Sequence, residues 1–299
     1  MSDPDRPLEP TPEQVERYRA DGFLVVEDLL DHQELRALRD RWAALFEHSW
    51  ETGIAPDEVN YTPGVTPADM TRQLCNAWKA DRVVAATTLS VRNASFSARL
   101  AGLDGVRIAQ NNLIWKPPSG KALLAHQDAA YLEWMVPPNM TTCWVALDDT
   151  AADTGTIFYL RASHLWGRTP AGGVFHAPED WLGHLRRSAP AGEATDLVPI
   201  EVPAGGASFH DGWTWHGSPP NERADAERRA IISHYIDART RWHPEVAHPV
   251  YSRYRRPGEA EMDEAFFPVV WRSDGYRTPW LGDYTTNDTT GGRPGPSPR

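Results

Sequence analysis

The segment LLAHQDAAY, residues 123–131, places a histidine and an aspartate two positions apart in a mostly apolar stretch. On a β-strand, residues i and i+2 point to the same face, so His126 and Asp128 would converge on one point. An imidazole and a carboxylate are two of the three ligands in the facial triad that holds non-haem iron(II). A His-x-Asp pair also arises by chance in loops, so the rest of the chain has to supply a third ligand.

The third ligand is expected on a neighbouring strand, which in a jelly roll is often distant in sequence. Most other histidines fall in helix-like or loop-like contexts. His164, in RASHLWG, is expected to make a structural hydrogen bond, and His234 is expected to be packed inside a strand. The segment GASFHDGWTWHGSPPN offers the two remaining candidates, His210 and His216.

Composition restricts the classes of function. The chain has 299 residues, 40% of them hydrophobic, which fits one large domain or two small ones. Its formal net charge of −11 argues against a nucleic-acid or anionic-membrane partner, because either would select a basic face. There is no apolar run long enough for a transmembrane helix, and the start, MSDPDRPLEP, lacks the apolar core of a secretory signal. Cys75 and Cys143 are expected to be buried thiols, and a cytoplasmic location is expected.

The N-terminal third has the pattern of helices with one short strand. In TPEQVERYRADG, Thr11 is positioned to cap a helix that ends at Gly22, and FLVVE then predicts a strand. DHQELRALRDRWAALF predicts a longer amphipathic helix capped by Asp31. Residues 51–68 indicate a loop, and two further helices are predicted near 80–89 and 93–101.

From about residue 105, short β-type runs alternate with Gly/Pro turns, which favours an all-β sandwich or barrel. The runs are VRIAQNNLIWK, TTCWVALDD, GTIFYLRAS, LVPIEVP, GASFHDGW and RAIISHYID, and APEDWLGHLRR predicts a short helix between them. The expected fold is mainly β with N-terminal helices, a double-stranded β-helix (jelly roll, cupin-like) core flanked by α-helices. Residues 11–285 are expected to form a single domain, and 1–10 and 286–299 to be flexible tails.

Three elements together resemble the phytanoyl-CoA dioxygenase-like (PhyH) family of Fe(II)/2-oxoglutarate-dependent oxygenases. They are HQD at 126–128, WHGSPPN at 215–221 and the arginine that opens RRAIISHY. WVALDDTAADTGTIFYLRASHLWG and DGFLVVEDLLDHQELRALRDRW are also similar to that family, so the resemblance runs from about residue 12 to about 240. It implies that His216, rather than His210, completes the triad with His126 and Asp128.

The resemblance also implies Fe(II), 2-oxoglutarate and O2, and the residues that hold the cosubstrate. A guanidinium suits the far carboxylate of 2-oxoglutarate because it can bind it bidentately. Arg228 and Arg229 are adjacent, so only one can face the site, and the family pattern points to Arg228. The other positions implied around the cosubstrate are Ser218, Gln110, Asn112 and Trp144, of which Asn112 and Trp144 can equally be ordinary strand residues.

Halogenating relatives carry a small residue where this chain has Asp128, so the resemblance implies hydroxylation or oxidative cyclisation of a small organic substrate. A natural-product intermediate is expected, with release of succinate and CO2. The thirteen tryptophans suggest a sugar or ring stacked on indole. Residues 131–140 are expected to shape the mouth of the site, and residues 239–256 to form either a lid or a surface segment.

Two other classes remain open at this point. A cupin-like metalloenzyme that does not use 2-oxoglutarate would need the triad but neither Arg228 nor Ser218. A non-catalytic β-scaffold binding protein would need none of these residues. The sequence does not indicate the oligomeric state.

Overall fold

The computed structural model describes residues 4–193 and 196–285, and its helices and strands follow the predicted order. The α-helices are α1 (Pro12–Asp21), α2 (His32–Phe46), α3 (Arg82–Thr88), α4 (Val91–Leu100), α5 (Gly183–Ser188) and α6 (Leu281–Thr285). The first seven strands are β1 (Phe23–Val26), β2 (Glu58–Val59), β3 (Arg72–Cys75), β4 (Gly105–Lys116), β5 (Leu123–His126), β6 (Met135–Val136) and β7 (Met140–Ala146). The remaining seven are β8 (Phe158–Leu160), β9 (Leu197–Pro199), β10 (Ala207–Asp211), β11 (His216–Ser218), β12 (Arg228–Asp237), β13 (Arg241–Trp242) and β14 (Val269–Arg272).

The two N-terminal helices begin where their capping residues predict. Thr11 and Gln14 form a capping box at the start of α1, and the helix ends at Gly22, whose φ of 82° lies in the left-handed region. Asp31 and Glu34 form the same motif at the start of α2. The predicted apolar face of α2 is buried, from Leu35 through Leu38, Trp42, Leu45 and Phe46.

Two antiparallel sheets make the core. The larger sheet has the strand order β1-β10-β7-β12-β4-β3-β2, with β14 also paired to β4, and the smaller has the order β5-β11-β8-β9. Helices α1 to α4 pack their apolar residues on one face of the larger sheet. A second apolar cluster joins the two sheets, with Ile114, Trp144 and Ile232 on one side and Leu123 and Tyr159 on the other. The predicted double-stranded β-helix flanked by helices is therefore confirmed.

Some local expectations were incomplete. Strand β5 ends at His126, and Asp128 begins a 3₁₀ turn (Asp128–Tyr131), so the two residues do not share one strand. Strands β3 and β14 were not predicted, because their pairing with β4 is a long-range contact without a local signal.

The expectations for the cysteines and for the chain ends can be compared with the structure. Cys75 and Cys143 are buried free thiols, as expected. Within the segment expected as an N-terminal tail, residues 1–10, the Leu8 N–H donates to Ser95 Oγ of α4 at 2.9 Å. The expected C-terminal tail, 286–299, lies outside the described residues. Within the described ranges no helix has the length and apolar character needed to cross a bilayer.

Candidate metal centre and adjoining pockets

The three residues of the expected triad meet between the two sheets. His126 at the end of β5 and His216 at the start of β11 are direct partners across this antiparallel pair, and Asp128 follows two residues after His126. The Nε2 atoms of His126 and His216 lie 3.2 and 3.3 Å from Oδ1 of Asp128. One ligand atom from each residue lies within 4.8 Å of the others. Two imidazoles and one carboxylate converging in this way suit a single ferrous ion.

Backbone carbonyls orient both imidazoles. The Nδ1 atom of His126 lies 2.8 Å from the Leu124 carbonyl oxygen, and Nδ1 of His216 lies 2.9 Å from that of Thr214. A carbonyl only accepts hydrogen bonds, so each Nδ1 carries the proton and each Nε2 presents its lone pair to the centre. Burial, reinforced by His216, lowers the pKa of His126. The Asp128 carboxylate outweighs burial and raises the pKa of His216.

The second carboxylate oxygen of Asp128 accepts hydrogen bonds from residues outside the triad. Its Oδ2 accepts hydrogen bonds from Thr142 Oγ1 at 2.7 Å and from His210 Nε2 at 3.0 Å. The hydroxyl of Tyr159 donates to Nδ1 of His210 at 2.9 Å, which fixes the ring with its proton on Nε2. Burial would raise the pKa of Asp128, but the surrounding imidazoles hold it well below its usual value. The carboxylate is thus ionised, with Oδ1 directed at the two triad histidines.

Gly217 allows the two ligand strands to approach each other. A Cβ at this position would lie 2.7 Å from Cα and 2.9 Å from the backbone nitrogen of Ala125 on β5. Any side chain would therefore push β11 away from β5 and separate His216 from His126.

An inner pocket runs from the triad to the buried guanidinium of Arg228. Its volume is about 70 Å³. Its apolar walls come from Ile114, Leu123, Trp144, Ile157 and Ile232. The Nη2 atom of Arg228 donates to Ser218 Oγ at 3.1 Å and to the Gly155 carbonyl at 2.9 Å. Gly155 has a φ of 65°, and a Cβ there would lie 2.9 Å from the backbone nitrogen of Asn221, so only glycine presents its carbonyl in this way.

A second cation is buried beside Arg228. The side chain of Lys116 is fully buried, and its Nζ donates to Ser218 Oγ and to the Pro219 carbonyl. Burial and the neighbouring guanidinium lower the pKa of Lys116 well below its usual value, and burial lowers the pKa of Arg228 to about 10. Within the described residues, no carboxylate oxygen lies within 4.0 Å of either cation. Because buried charge is costly without a counter-charge, this end of the pocket favours an anionic ligand.

Arg228 and Arg229 point to opposite sides of β12. Arg228 lines the inner pocket and is 1% exposed. Arg229 instead pairs with Asp148 at 2.6 Å and with Glu227 at 3.3 Å, outside the pocket. The structure therefore brings Arg228 towards the triad.

A larger outer cavity of about 470 Å³ opens beside His126 and Asp128 of the triad and shares Gln73, Asn112 and His234 with the inner pocket. Tyr131, Leu132 and Met140, from the segment expected at the mouth, line it. The segment expected as a lid or surface also contributes, through His248, Pro249, Val250 and Tyr251.

The remaining expected residues divide between the two spaces. Gln110 lines the outer cavity, Trp144 lines the inner pocket, and Asn112 lines both. Gln110 Nε2 donates to Asn112 Oδ1 at 3.0 Å. Of the described tryptophans, none lines the outer cavity, so its aromatic surface comes from Tyr131, Phe175 and Tyr251.

Several polar residues of the site were not among those expected. His234 lines both spaces, with Nδ1 3.3 Å from Asp128 Oδ2, and was expected only as packing. It lies on β12 six residues after Arg228, so the strand period of two could have placed it on the same face. The same period places Lys116 on the face of β4 that carries Asn112. His210 supports the carboxylate, and no local signal indicated that role. As expected, His164 makes a structural hydrogen bond, with Nε2 3.0 Å from the Arg19 carbonyl.

The chain is similar to known proteins in sequence and in fold. A family model described as phytanoyl-CoA dioxygenase (PhyH) matches residues 18–230. Phytanoyl-CoA dioxygenase domain-containing protein 1 of Bos taurus is 25% identical over 281 residues, covering 79% of this chain and 93% of that protein. The crystal structure of the non-heme alpha ketoglutarate dependent carbocyclase SnoK from nogalamycin biosynthesis has a TM-score of 0.69 and 23% identity, covering 89% of this chain and 100% of that one. The epimerase SnoN, in complex with Fe3+, alpha ketoglutarate and nogalamycin RO, has a TM-score of 0.66 and 20% identity, with coverage of 87% and 98%.

Proposed function

Because the chain belongs to the phytanoyl-CoA dioxygenase (PhyH) family and is a dioxygenase that uses Fe(II), 2-oxoglutarate and O2, we propose that it hydroxylates or oxidatively cyclises a small organic substrate, releasing succinate and CO2. A natural-product intermediate is the proposed substrate class. The similarity in fold to a carbocyclase from nogalamycin biosynthesis supports both the class and the cyclisation option. Residues 11–285 are proposed as the single catalytic domain.

His126, Asp128 and His216 are the proposed iron ligands. When bound there, Fe(II) would supply the activation of O2, together with 2-oxoglutarate, that oxidises an unreactive C–H bond. The contribution of the chain is orientation. The carbonyls of Leu124 and Thr214 fix the two imidazoles with Nε2 inward, as described above.

Arg228 and Ser218 are proposed to bind the far carboxylate of 2-oxoglutarate, with Trp144 against the cosubstrate. The observation that carries this proposal is the pair of buried cations, Lys116 and Arg228, with no described carboxylate in contact with either. The apolar walls of the inner pocket exclude water and so strengthen this charge pairing. Asn112, at the junction of the two spaces, and Gln110, in the outer cavity, are proposed to contact the cosubstrate at its triad end.

The outer cavity is the proposed substrate site. Its volume of about 470 Å³ is in the range that holds a drug-sized molecule. Since it reaches His126 and Asp128, a substrate held there would place a C–H bond beside the residues proposed to hold the iron. Asp128 occupies the position where halogenating relatives carry a small residue, which favours hydroxylation or ring closure over halogenation.

A matched pair of arginine variants tests the function. Anaerobic protein with Fe(II) and 2-oxoglutarate should develop a weak visible charge-transfer band, and with O2 it should release succinate. Arg228→Gln should raise the 2-oxoglutarate concentration needed for half-maximal band intensity by about 100-fold, since a bidentate charged contact is lost. Arg229→Gln makes the same change of charge on the outer face of β12 and should leave the requirement near that of the parent protein.

The same measurements test both alternatives, because neither predicts the band or succinate release. A cupin-like enzyme that does not use 2-oxoglutarate would still bind Fe(II) and would be indifferent to Arg228→Gln, whereas a non-catalytic binding scaffold would not need the metal. The first alternative leaves the buried Lys116 and Arg228 without a carboxylate in direct contact among the described residues, which is why 2-oxoglutarate is the preferred proposal.

A further inference from the structure

The wall of the outer cavity has an unbalanced charge. Among its described lining residues there is no lysine or arginine, and besides Asp128 there is one carboxylate, that of Glu58 on β2. Asp128 belongs to the proposed iron centre, so Glu58 is the charge available to a substrate.

Glu58 has no cationic partner in the described part of the chain. No lysine, arginine or histidine nitrogen there lies within 4.0 Å of its carboxylate, and its one hydrogen bond is a long one, 3.4 Å, from the hydroxyl of Tyr251. Arg253 acts on it electrostatically but is itself paired with Asp57 at 2.8 Å. Glu58 is an exposed residue of the short strand β2, and partial burial of its carboxylate raises its pKa, while the Tyr251 hydroxyl and Arg253 act in the opposite direction.

The other polar rings of this wall do not supply the missing charge. Burial lowers the pKa of His176 to about 4 and also lowers that of His248, so both rings are neutral at neutral pH. Nδ1 of His248 accepts from the backbone N–H groups of Val250 and Tyr251, as expected for a neutral ring. The rings of His248 and Tyr251 stack with centroids 4.7 Å apart beside Glu58. Tyr251 is 1% exposed, so it offers its hydroxyl rather than a ring face beside Glu58, and attraction of an organic cation there comes from the carboxylate.

We infer that the outer cavity selects a substrate that carries an organic ammonium group, bound at Glu58 beside the Tyr251 hydroxyl, while the carbon to be oxidised lies at the triad end. This deepens the proposed function and rests on it. Carboxylates, phosphates and coenzyme A thioesters would be disfavoured, because the carboxylate of Glu58 repels them and the wall offers no lysine or arginine in return.

Three probes of one shape test the inference: 2-phenylethylamine, 2-phenylethanol and phenylacetate. Each is titrated calorimetrically, without O2, into protein saturated with Fe(II) and 2-oxoglutarate, which blocks the anion site at Arg228. The visible band is recorded first, to establish that the proposed cofactors are bound. The amine should bind about five- to tenfold more tightly than the alcohol, as expected for one ion pair at a partly exposed site, and phenylacetate most weakly.

Glu58→Gln is the diagnostic variant. It should bring the affinity of the amine to that of the alcohol and leave the affinity of the alcohol unchanged. Glu47→Gln, the same change on an exposed residue at the end of α2, should preserve the amine preference. With the band present, equal binding of amine and alcohol, no measurable binding of the amine, or a preference that survives Glu58→Gln overturns the ammonium site alone. A sample without the band contradicts the proposed function itself.

Discussion

His210 Nε2 lies 3.0 Å from Oδ2 of Asp128, while the two triad histidines face Oδ1 of the same carboxylate. The ring of His210 is fully buried and donates its hydrogen bond to the carboxylate oxygen that the triad histidines do not face. His210 therefore acts on the proposed iron only through Asp128. Burial lowers the pKa of His210 to about 3, and its neutral form is a hydrogen-bond donor of fixed direction. His210 is therefore a positioning residue for the carboxylate ligand.

Replacing His210 tests that role. His210→Leu removes the donor and should weaken Fe(II) affinity by about 10- to 100-fold, the usual effect of losing a hydrogen bond to a ligand. His210→Gln keeps an N–H near the same position and should recover most of the affinity. Fe(II) affinity is measured by competition with a chelator, alongside the melting temperature of the metal-free protein. Equal affinity in the leucine variant and the parent protein would exclude the positioning role, and a purely structural role would lower the melting temperature without rescue of affinity by glutamine.

Asp128→Gly tests the carboxylate ligand itself. It should abolish succinate release and leave less than one iron per chain at concentrations that saturate the parent protein, because one of three ligands is removed. The matched control is Asp225→Gly, which removes an exposed carboxylate that pairs with Arg223 at 2.8 Å in a loop. Metal analysis and succinate assays are run on both variants. Full oxygenase activity in Asp128→Gly would show that Asp128 is not a ligand.

The parts of the site that sequence patterns predicted are those carried by short motifs. HQD and WHGS bring their residues to the centre through local strand geometry and one strand pairing, β5 with β11. Arg228 was separated from Arg229 by a family pattern, and the alternation along β12 agrees with that choice. The inference that His126 and Asp128 share a strand was wrong, yet the turn that begins at Asp128 still directs its carboxylate to the same point.

The parts that could not be predicted depend on which elements lie opposite each other. Lys116 lies beside Arg228 only because β4 pairs with β12, where the two residues are direct partners. Strands β3 and β14 form by pairing with β4, so their own sequences do not identify them as strands. Glu58 fell in a segment that its prolines and glycines marked as a loop, and nothing in its neighbours indicated that it would line a cavity. Long-range pairing, rather than local propensity, decides these positions.

Lys116→Met examines the second buried cation. Methionine has a similar volume and no charge, so the metal-free protein should be as stable as the parent or more so, because the uncompensated buried charge is removed. Affinity for 2-oxoglutarate should fall by about tenfold, since the charge that lies behind Ser218 and beside Arg228 is lost. The increase in melting temperature caused by 2-oxoglutarate in the presence of Zn(II) measures this affinity. Lys121→Met, at an exposed lysine paired with Asp69, should keep the full increase, and an unchanged increase in Lys116→Met would contradict a role in anion binding.

Asp57 joins the segment 239–256 to the rest of the domain through Arg253 and Tyr254, and its removal should free that segment. The carboxylate accepts from Lys79 Nζ at 2.7 Å, from Arg253 at 2.8 Å and from the hydroxyl of Tyr254. Asp57→Asn leaves Lys79 buried without its counter-charge and should cost roughly 3 kcal/mol in the free energy of unfolding. Backbone amides of residues 248–256 should then exchange with deuterium much faster than in the parent protein.

The dependence of this effect on pH has a defined sign. Burial alone would raise the pKa of Asp57, but the ammonium of Lys79 outweighs it, so the pKa lies below that of the unfolded chain, about 4. Stability from the ionised carboxylate is therefore fully present above about pH 4 and is lost as pH falls through the lower pKa of the folded state. The difference in unfolding free energy between parent and Asp57→Asn should be constant from pH 8 to about 5 and shrink in stronger acid, as measured by urea denaturation.

The control variant is Asp263→Asn, which removes an ion pair with Arg256 of the same segment. Because Arg256 is 63% exposed, the loss of this pair should change the stability and the exchange rates little. Equal exchange of residues 248–256 in Asp57→Asn and parent would mean that other contacts hold the segment over the cavity.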